Sequence, residues 1–201
     1  MPDLPDLEAI KNVLNRRIGR QRIAAVEVLR PIALRNLTTL TPSEFLVGRT
    51  VLRVVRRAKF LRWELGDDRW LAMNFMLAGH LRWAAPTERP LARDYVAITF
   101  SDGTQLRYHD PQGMGKLYLT CDLNAIPGYA GLGPDADDPA LTDEEFIARL
   151  SRSNGEVKGL LTRGAVVGGI GNAYADEILF AAGIYPFRTR PSLSHGELLA
   201  L

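Results

Sequence analysis

The sequence predicts an α+β protein: an N-terminal helix and an antiparallel sandwich or barrel, followed by an all-helical domain. Three observations carry this. Residues 6–18, DLEAIKNVLNRRI, place Leu7, Ile10, Val13, Leu14 and Ile18 on one helix face, with acids early and arginines late as the helix dipole prefers. From Gln21 to Arg30 and from Thr50 to Thr120 the chain runs in strand-length segments rich in Val, Ile, Thr, Trp and Tyr. Turn signals at Gly66-Asp67-Asp68 and Ser101-Asp102-Gly103 separate them, as in hairpin-connected sheets. After a stretch rich in Gly, Pro and Asp the pattern becomes helical. The expected domains are residues 1–121 and 141–201, joined by a linker at 122–140.

The elements follow in order. At the N-terminus Pro5 fits just inside a helix start, and Asp3 and Asp6 complement its positive end. VVRRAKFLRWEL, residues 54–65, reads as a strand with Lys59 inside it between Ala58 and Phe60. LTDEEFIARL carries a capping box, Thr142 with Glu145. A short helix is expected at 156–163, then a glycine-rich turn, then a helix at 172–184 with Gly183 near its C-terminus. Ser194 and Glu197 form another capping box, and a helix of ordinary length opened there runs on past Leu201.

Composition narrows the class. With 201 residues, 46% hydrophobic and 24% charged, the chain suits one large domain or two small ones. No apolar run approaches the roughly 18–20 residues of a membrane span, and the first thirty residues lack a signal-peptide pattern, so no membrane partner and a cytoplasmic location are expected. The single cysteine, Cys121, permits no internal disulfide or thiolate-rich zinc site and reads as an ordinary buried or half-buried thiol. Net charge is only +2, but residues 1–120 hold 19 basic against 12 acidic side chains, and residues 121–201 hold 6 against 11. Only Lys11, Lys59, Lys116 and Lys158 are lysines, so the basic half is mainly an arginine surface, suited to phosphate or carboxylate partners if it is not simply solvated.

Three stretches carry chemistry. In GAVVGGIGNAY, residues 164–174, glycines free the backbone for tight turns, and Asn172 starts a helix whose free N–H groups make an anion site. Lys59, a rare lysine among arginines, offers a point donor to a phosphate or reacting oxygen; a solubilising edge lysine is the alternative. Removal of Met1 would expose the secondary amine of Pro2. Its reference pKa of about 7.7–8.0 leaves a neutral, nucleophilic fraction near pH 7. Asp3 beside it offers an acid or base.

Together these stretches resemble the formamidopyrimidine-DNA glycosylase / endonuclease VIII family. PDLPD is similar to the family's PELPE or PEGPE, RRAKFL to its RRAKYL strand, LGPD at 132–135 to its LGPEP, and VVGGIGNAYADEILFAAGIYP to its VVxGIGNxYAxExLFxAGIxP. The resemblance implies a β-sandwich behind an N-terminal helix and then a helix-two-turn-helix DNA-binding domain. It implies a base-excision repair enzyme acting on damaged double-stranded DNA, as a monomer, by glycosylase and AP lyase chemistry. Pro2 would be the Schiff-base nucleophile at C1′, Asp3 its acid–base neighbour, and Lys59 a contact to the phosphate beside the lesion. Asn172, with Gly171 and Lys158, would hold the DNA backbone. Three departures accompany the match. The family's glutamate is Asp3 here, one methylene shorter. The base-replacing loops carry Leu77 and Met114 with Gly113 between Gln112 and Met114, so the family's arginine for the orphaned base is absent. The family's zinc finger or zincless substitute would lie beyond residue 201, so no cofactor is expected within this chain and zinc is possible only there. A non-catalytic relative that binds lesion, abasic-site or distorted DNA stays open as an alternative.

Overall fold

In the computed structural model, residues 2–201 are described. Contacts divide the chain into two compact units: one runs up to Arg56 and resumes over Phe60–Ala130, and the other comprises Arg57–Lys59 and Gly131–Leu201.

The first unit opens with helix α1, Leu4–Ile18, with Pro5 in its first turn and Arg16 and Arg17 in its last. Two sheets follow. Strands β1 (Ile23–Val28), β7 (Asp94–Phe100), β8 (Gln105–His109) and β6 (His80–Ala84) form one sheet in that order. The other is ordered β2 (Leu34–Asn36), β9 (Lys116–Thr120), β5 (Trp70–Asn74), β4 (Phe60–Glu64) and β3 (Arg53–Arg57). Pairing is antiparallel through β1–β7, β7–β8, β6–β8, β4–β5 and β5–β9, whereas β2 lies parallel to β9, a long-range pairing that no local turn signal announces. The sheets share one core: Trp63 from β4 meets Phe100 from β7 with ring centroids 6.1 Å apart, and Leu7, Leu14 and Ile18 of α1 are buried in the same cluster. A short helix α2, Pro42–Leu46, is closed by a reciprocal Thr41–Glu44 capping box.

The edge strand β3 is not left bare. Asn15 of α1 accepts the Val54 N–H at 2.8 Å and donates to the Val54 carbonyl at 2.7 Å, so one amide side chain satisfies both backbone groups of a buried residue. Arg56 Nε donates to Glu8 of α1 at 2.7 Å, and Lys11 also pairs with Glu8. Burial pushes the Glu8 carboxyl up, but the hydrogen bonds from Lys11 and Arg56 outweigh it and hold it below its ordinary value. Together these contacts fix the helix that carries residues 2 and 3.

Two expectations are corrected here. Lys59 is not inside a strand: β3 ends at Arg57, β4 begins at Phe60, and Ala58-Lys59 is the turn between them. Ala58 takes φ +50, which no glycine, asparagine or proline signals in the sequence. Cys121 is exposed, because β9 ends at Thr120 and the chain turns out toward a 3-10 turn at Leu123–Ala125.

The second unit is helical: α3 (Asp143–Leu150), α4 (Val157–Thr162), α5 (Asn172–Ala181), which stops short of the expected residue 184, and α6 (His195–Leu199), which ends before Leu201 instead of running past it. Thr142 Oγ1 accepts the Glu145 N–H and Ser194 Oγ the Glu197 N–H, and at α6 the reciprocal arm is also made. The apolar face of each helix meets in a separate core built from Leu150, Leu160, Leu161, Val167, Ala175 and Leu179. Gly183 at φ +68 ends α5 and sends Ile184 back into that core.

Candidate functional site

At the head of α1, Asp3 is the N-cap and is 3% exposed. Asp3 and Asp6 make a reciprocal capping box, in which Asp6 Oδ2 accepts the Asp3 N–H at 3.0 Å. Asp3 Oδ1, by contrast, is buried and accepts no hydrogen bond among the described residues. A buried carboxylate oxygen without a donor costs on the order of 1–3 kcal/mol or more, so it stands out beside the half-buried Pro2. The carboxylate is thus divided: it closes a helix, and one of its oxygens takes no hydrogen bond from the described residues.

Leu77 and Met114 lie on two turns of the same unit and are 51% and 42% exposed. The β5–β6 turn bears Leu77 after Met76 at φ +49, and the β8–β9 turn runs from Asp110 to Gly115. A side chain places them together. The buried Tyr108 hydroxyl sits where a methyl on Gly79 would lie 2.3 Å away and one on Gly115 only 1.7 Å away, so both turns close onto it. It donates to Asp110 Oδ2 at 3.2 Å, and Asp110, fully buried, also accepts the N–H groups of Gly115 (2.8 Å) and Gln112 (3.0 Å). Burial pushes the Tyr108 phenol up, and the Asp110 charge adds to this. Asp110 is held below its ordinary value because those backbone donors outweigh its own burial. Gly113 has φ +68, and a methyl on it would meet the Tyr95 hydroxyl at 2.6 Å. A side chain at residue 113 would therefore need both a strained backbone and a displaced tyrosine.

Within the second unit, the Ala58-Lys59 turn is held by Asp135, whose Oδ1 accepts the Ala58 N–H at 2.7 Å and Arg57 Nη1 at 2.6 Å. The glycine-rich turn precedes α5. Gly169, at φ +99, needs glycine for its backbone, whereas Gly168 needs it for space, since a methyl there would lie 2.9 Å from the Ala58 methyl. Gly171 is the extended N-cap, and Asn172 is the first helical residue and exposed, at the end where backbone N–H groups are free. Lys158 of α4 is paired with Asp176 of α5 at 2.7 Å, so its charge is shared before any ligand arrives. Among the described residues no group of three or more His, Cys, Asp and Glu side chains is arranged to hold a metal ion. Tyr108, Asp110 and Asp135 have no signal of their own in the sequence beyond the LGPD motif that contains the last.

Similarity to known proteins runs the length of this framework. The family model for the formamidopyrimidine-DNA glycosylase N-terminal domain matches residues 1–117, and that for its H2TH domain matches residues 132–201. The chain belongs to the formamidopyrimidine-DNA glycosylase family. A formamidopyrimidine-DNA glycosylase of Moorella thermoacetica is 35% identical over all of this chain and 74% of its own length. That of Pelobacter propionicus is 39% identical over 98% of this chain and 73% of its own. The chain thus spans about three quarters of these relatives. Among solved structures, a Lactococcus lactis glycosylase bound non-covalently to DNA containing an AP site superimposes with a TM-score of 0.86 at 28% identity, covering 99% of this chain and 77% of that one. A further complex of that enzyme with abasic-site DNA gives 0.89 at 28% identity, covering 99% and 75%. The helix, two sheets and helical unit described above are therefore the formamidopyrimidine-DNA glycosylase fold with its H2TH domain.

Proposed function

We propose that this chain is a bifunctional DNA glycosylase/AP lyase of base-excision repair. Once Met1 is removed, the Pro2 amine attacks C1′ of a damaged nucleoside rotated out of the stack, and the base leaves with a proton. Opening of the sugar gives an iminium ion, whose electron demand acidifies C2′–H. Loss of that proton expels the 3′ phosphate by β-elimination, and water releases the enzyme. Asp3 moves the protons near the amine, while Lys59 and Asn172 take phosphates flanking the lesion. Leu77 and Met114 fill the vacated stack as apolar wedges. The observation that carries this reading is the Pro2–Asp3 pair in a chain of this family, with one Asp3 oxygen buried and undonated.

A second reading draws support from the same residue. Asp3 is spent in part on capping α1 and is a methylene shorter than the family's glutamate, which suits a relative that binds abasic or lesion DNA without excising the base. Borohydride trapping on abasic-site duplex, with a Pro2→Gly variant alongside, separates them. A covalent adduct for the wild type alone supports the enzyme; tight binding with no adduct supports the binder.

A further inference from the structure

Residues 132–135, LGPD, join two turns that the proposed chemistry uses separately. The backbone of this segment is stitched to the glycine-rich turn: Gly168 N donates to the Pro134 carbonyl at 2.6 Å, Ala136 N to the Gly168 carbonyl at 2.9 Å, and Gly133 N to the Gly164 carbonyl at 2.8 Å. Its last side chain faces the other way. Asp135 Oδ1 receives both the Ala58 N–H and the Arg57 guanidinium, and Arg57 Nη2 adds a bond to the Leu132 carbonyl at 3.2 Å. Ala58 at φ +50 is in a conformation that costs a non-glycine residue free energy, and the amide aimed at a carboxylate is a charge-assisted bond that offsets it. Asp135 and Arg57 are mostly buried, at 16% and 27% side-chain exposure, so water competes poorly for these bonds.

We propose that Asp135 is a positioning residue for the reaction: it sets the turn that carries Lys59 at a fixed place relative to the phosphate-binding turn that ends at Gly171-Asn172. This rests on the reading of Lys59 and Asn172 as contacts to adjacent phosphates. Neighbouring phosphates of one strand are tied by a single sugar and so lie within a narrow range of separations, which two turns that grip them together must match. Gly168 fits the same purpose, since any side chain there would push the Lys59 turn away by contact with Ala58, Asp135 and Arg57.

The test uses single-turnover cleavage and borohydride trapping of a duplex with one abasic site, with Kd for that duplex from fluorescence anisotropy and melting temperatures for every variant. Asp135→Ala is expected to slow cleavage about 10- to 100-fold, the range for a misplacement near 1 Å, with Kd within about threefold. Asp135→Asn keeps an acceptor for Ala58 N–H but loses the charge facing Arg57, and should fall between. In an Asp135→Ala/Lys59→Ala double variant the rate should match Lys59→Ala alone, because one residue acts through the other. An unchanged rate in Asp135→Ala overturns the proposal, as does a double variant slowed by the product of the two single effects. So does a parallel loss of rate, affinity and melting temperature in both Asp135 variants. A wild type that neither cleaves nor traps removes the proposed function and this inference with it; an active wild type with any of the other results removes the inference alone.

Discussion

Replacing Asn15 by alanine should loosen the N-terminal helix from the sheet, and its size follows from the contacts. Asn15 makes two bonds to Val54, at 2.7 and 2.8 Å, and a third to the Lys11 carbonyl at 3.1 Å. The third costs little to lose, because a carbonyl in mid-helix keeps its backbone donor. The other two matter more: Val54 is 1% exposed and sits on an edge strand, so truncation leaves an N–H and a carbonyl out of reach of water. At about 1–3 kcal/mol for each orphaned group, reduced if water enters the small cavity, the expected loss is about 2–4 kcal/mol. At about 2–4 °C per kcal/mol for a chain of this size, the melting temperature should fall by about 4–16 °C. Urea unfolding followed by tryptophan fluorescence measures it, because all three tryptophans, Trp63, Trp70 and Trp83, lie in the first unit. Asn15→Asp keeps the acceptor for the Val54 N–H but turns a carboxylate toward the Val54 carbonyl, and should be at least as destabilising. A loss below about 0.5 kcal/mol would refute the claim that this amide holds the helix.

Three further outcomes follow from the same structure. Asp94 is fully buried and accepts bonds from Arg82 at 2.6 Å, the Leu91 N–H at 2.9 Å and His109 at 2.9 Å; burial pushes its carboxyl up, but these donors hold it well below the usual range. A depressed folded pKa gives stability that is present at neutral pH and lost as pH falls below about 4; Asp94→Asn should cost about 3–5 kcal/mol at pH 7 and flatten that acid limb, read by denaturant titrations from pH 7 to 3. Tyr108→Phe removes the hydroxyl between Gly79 and Gly115, and should weaken binding to abasic duplex more than to intact duplex, since it frees the Leu77 and Met114 turns; equal effects in anisotropy titrations would contradict this. Asn172→Ala should weaken intact and abasic duplexes by a similar factor, because a phosphate contact carries no information about the base, and a loss confined to abasic DNA would remove the assignment.

Much of this framework was legible in the sequence where structure is made locally. The spacing of Leu7, Leu14 and Ile18 gave α1, Gly66-Asp67-Asp68 gave a hairpin turn whose three residues all take positive φ, and Ser194 with Glu197 gave the α6 cap. What local sequence could not show was made by distant partners. Arg56, Arg57, Ala58, Lys59 and Phe60 read as unbroken strand because nothing in them favours a turn; the left-handed Ala58 is held by Asp135, 77 residues later. The parallel β2–β9 pair and the Tyr108 hydroxyl between two glycines are likewise tertiary facts. The Pro2–Asp3 pair was readable as chemistry, but the division of Asp3 between a helix cap and an undonated oxygen required the fold.

The central claim is that the amine of Pro2 is the nucleophile. The most direct measurement is peptide mapping of the borohydride-trapped adduct by mass spectrometry, on protein from which Met1 has been removed and a duplex with one abasic site. The expected result is a reduced sugar remnant on the peptide that begins at Pro2, on its amino nitrogen. A remnant on Lys59, or protein that binds the duplex and carries none, would contradict it.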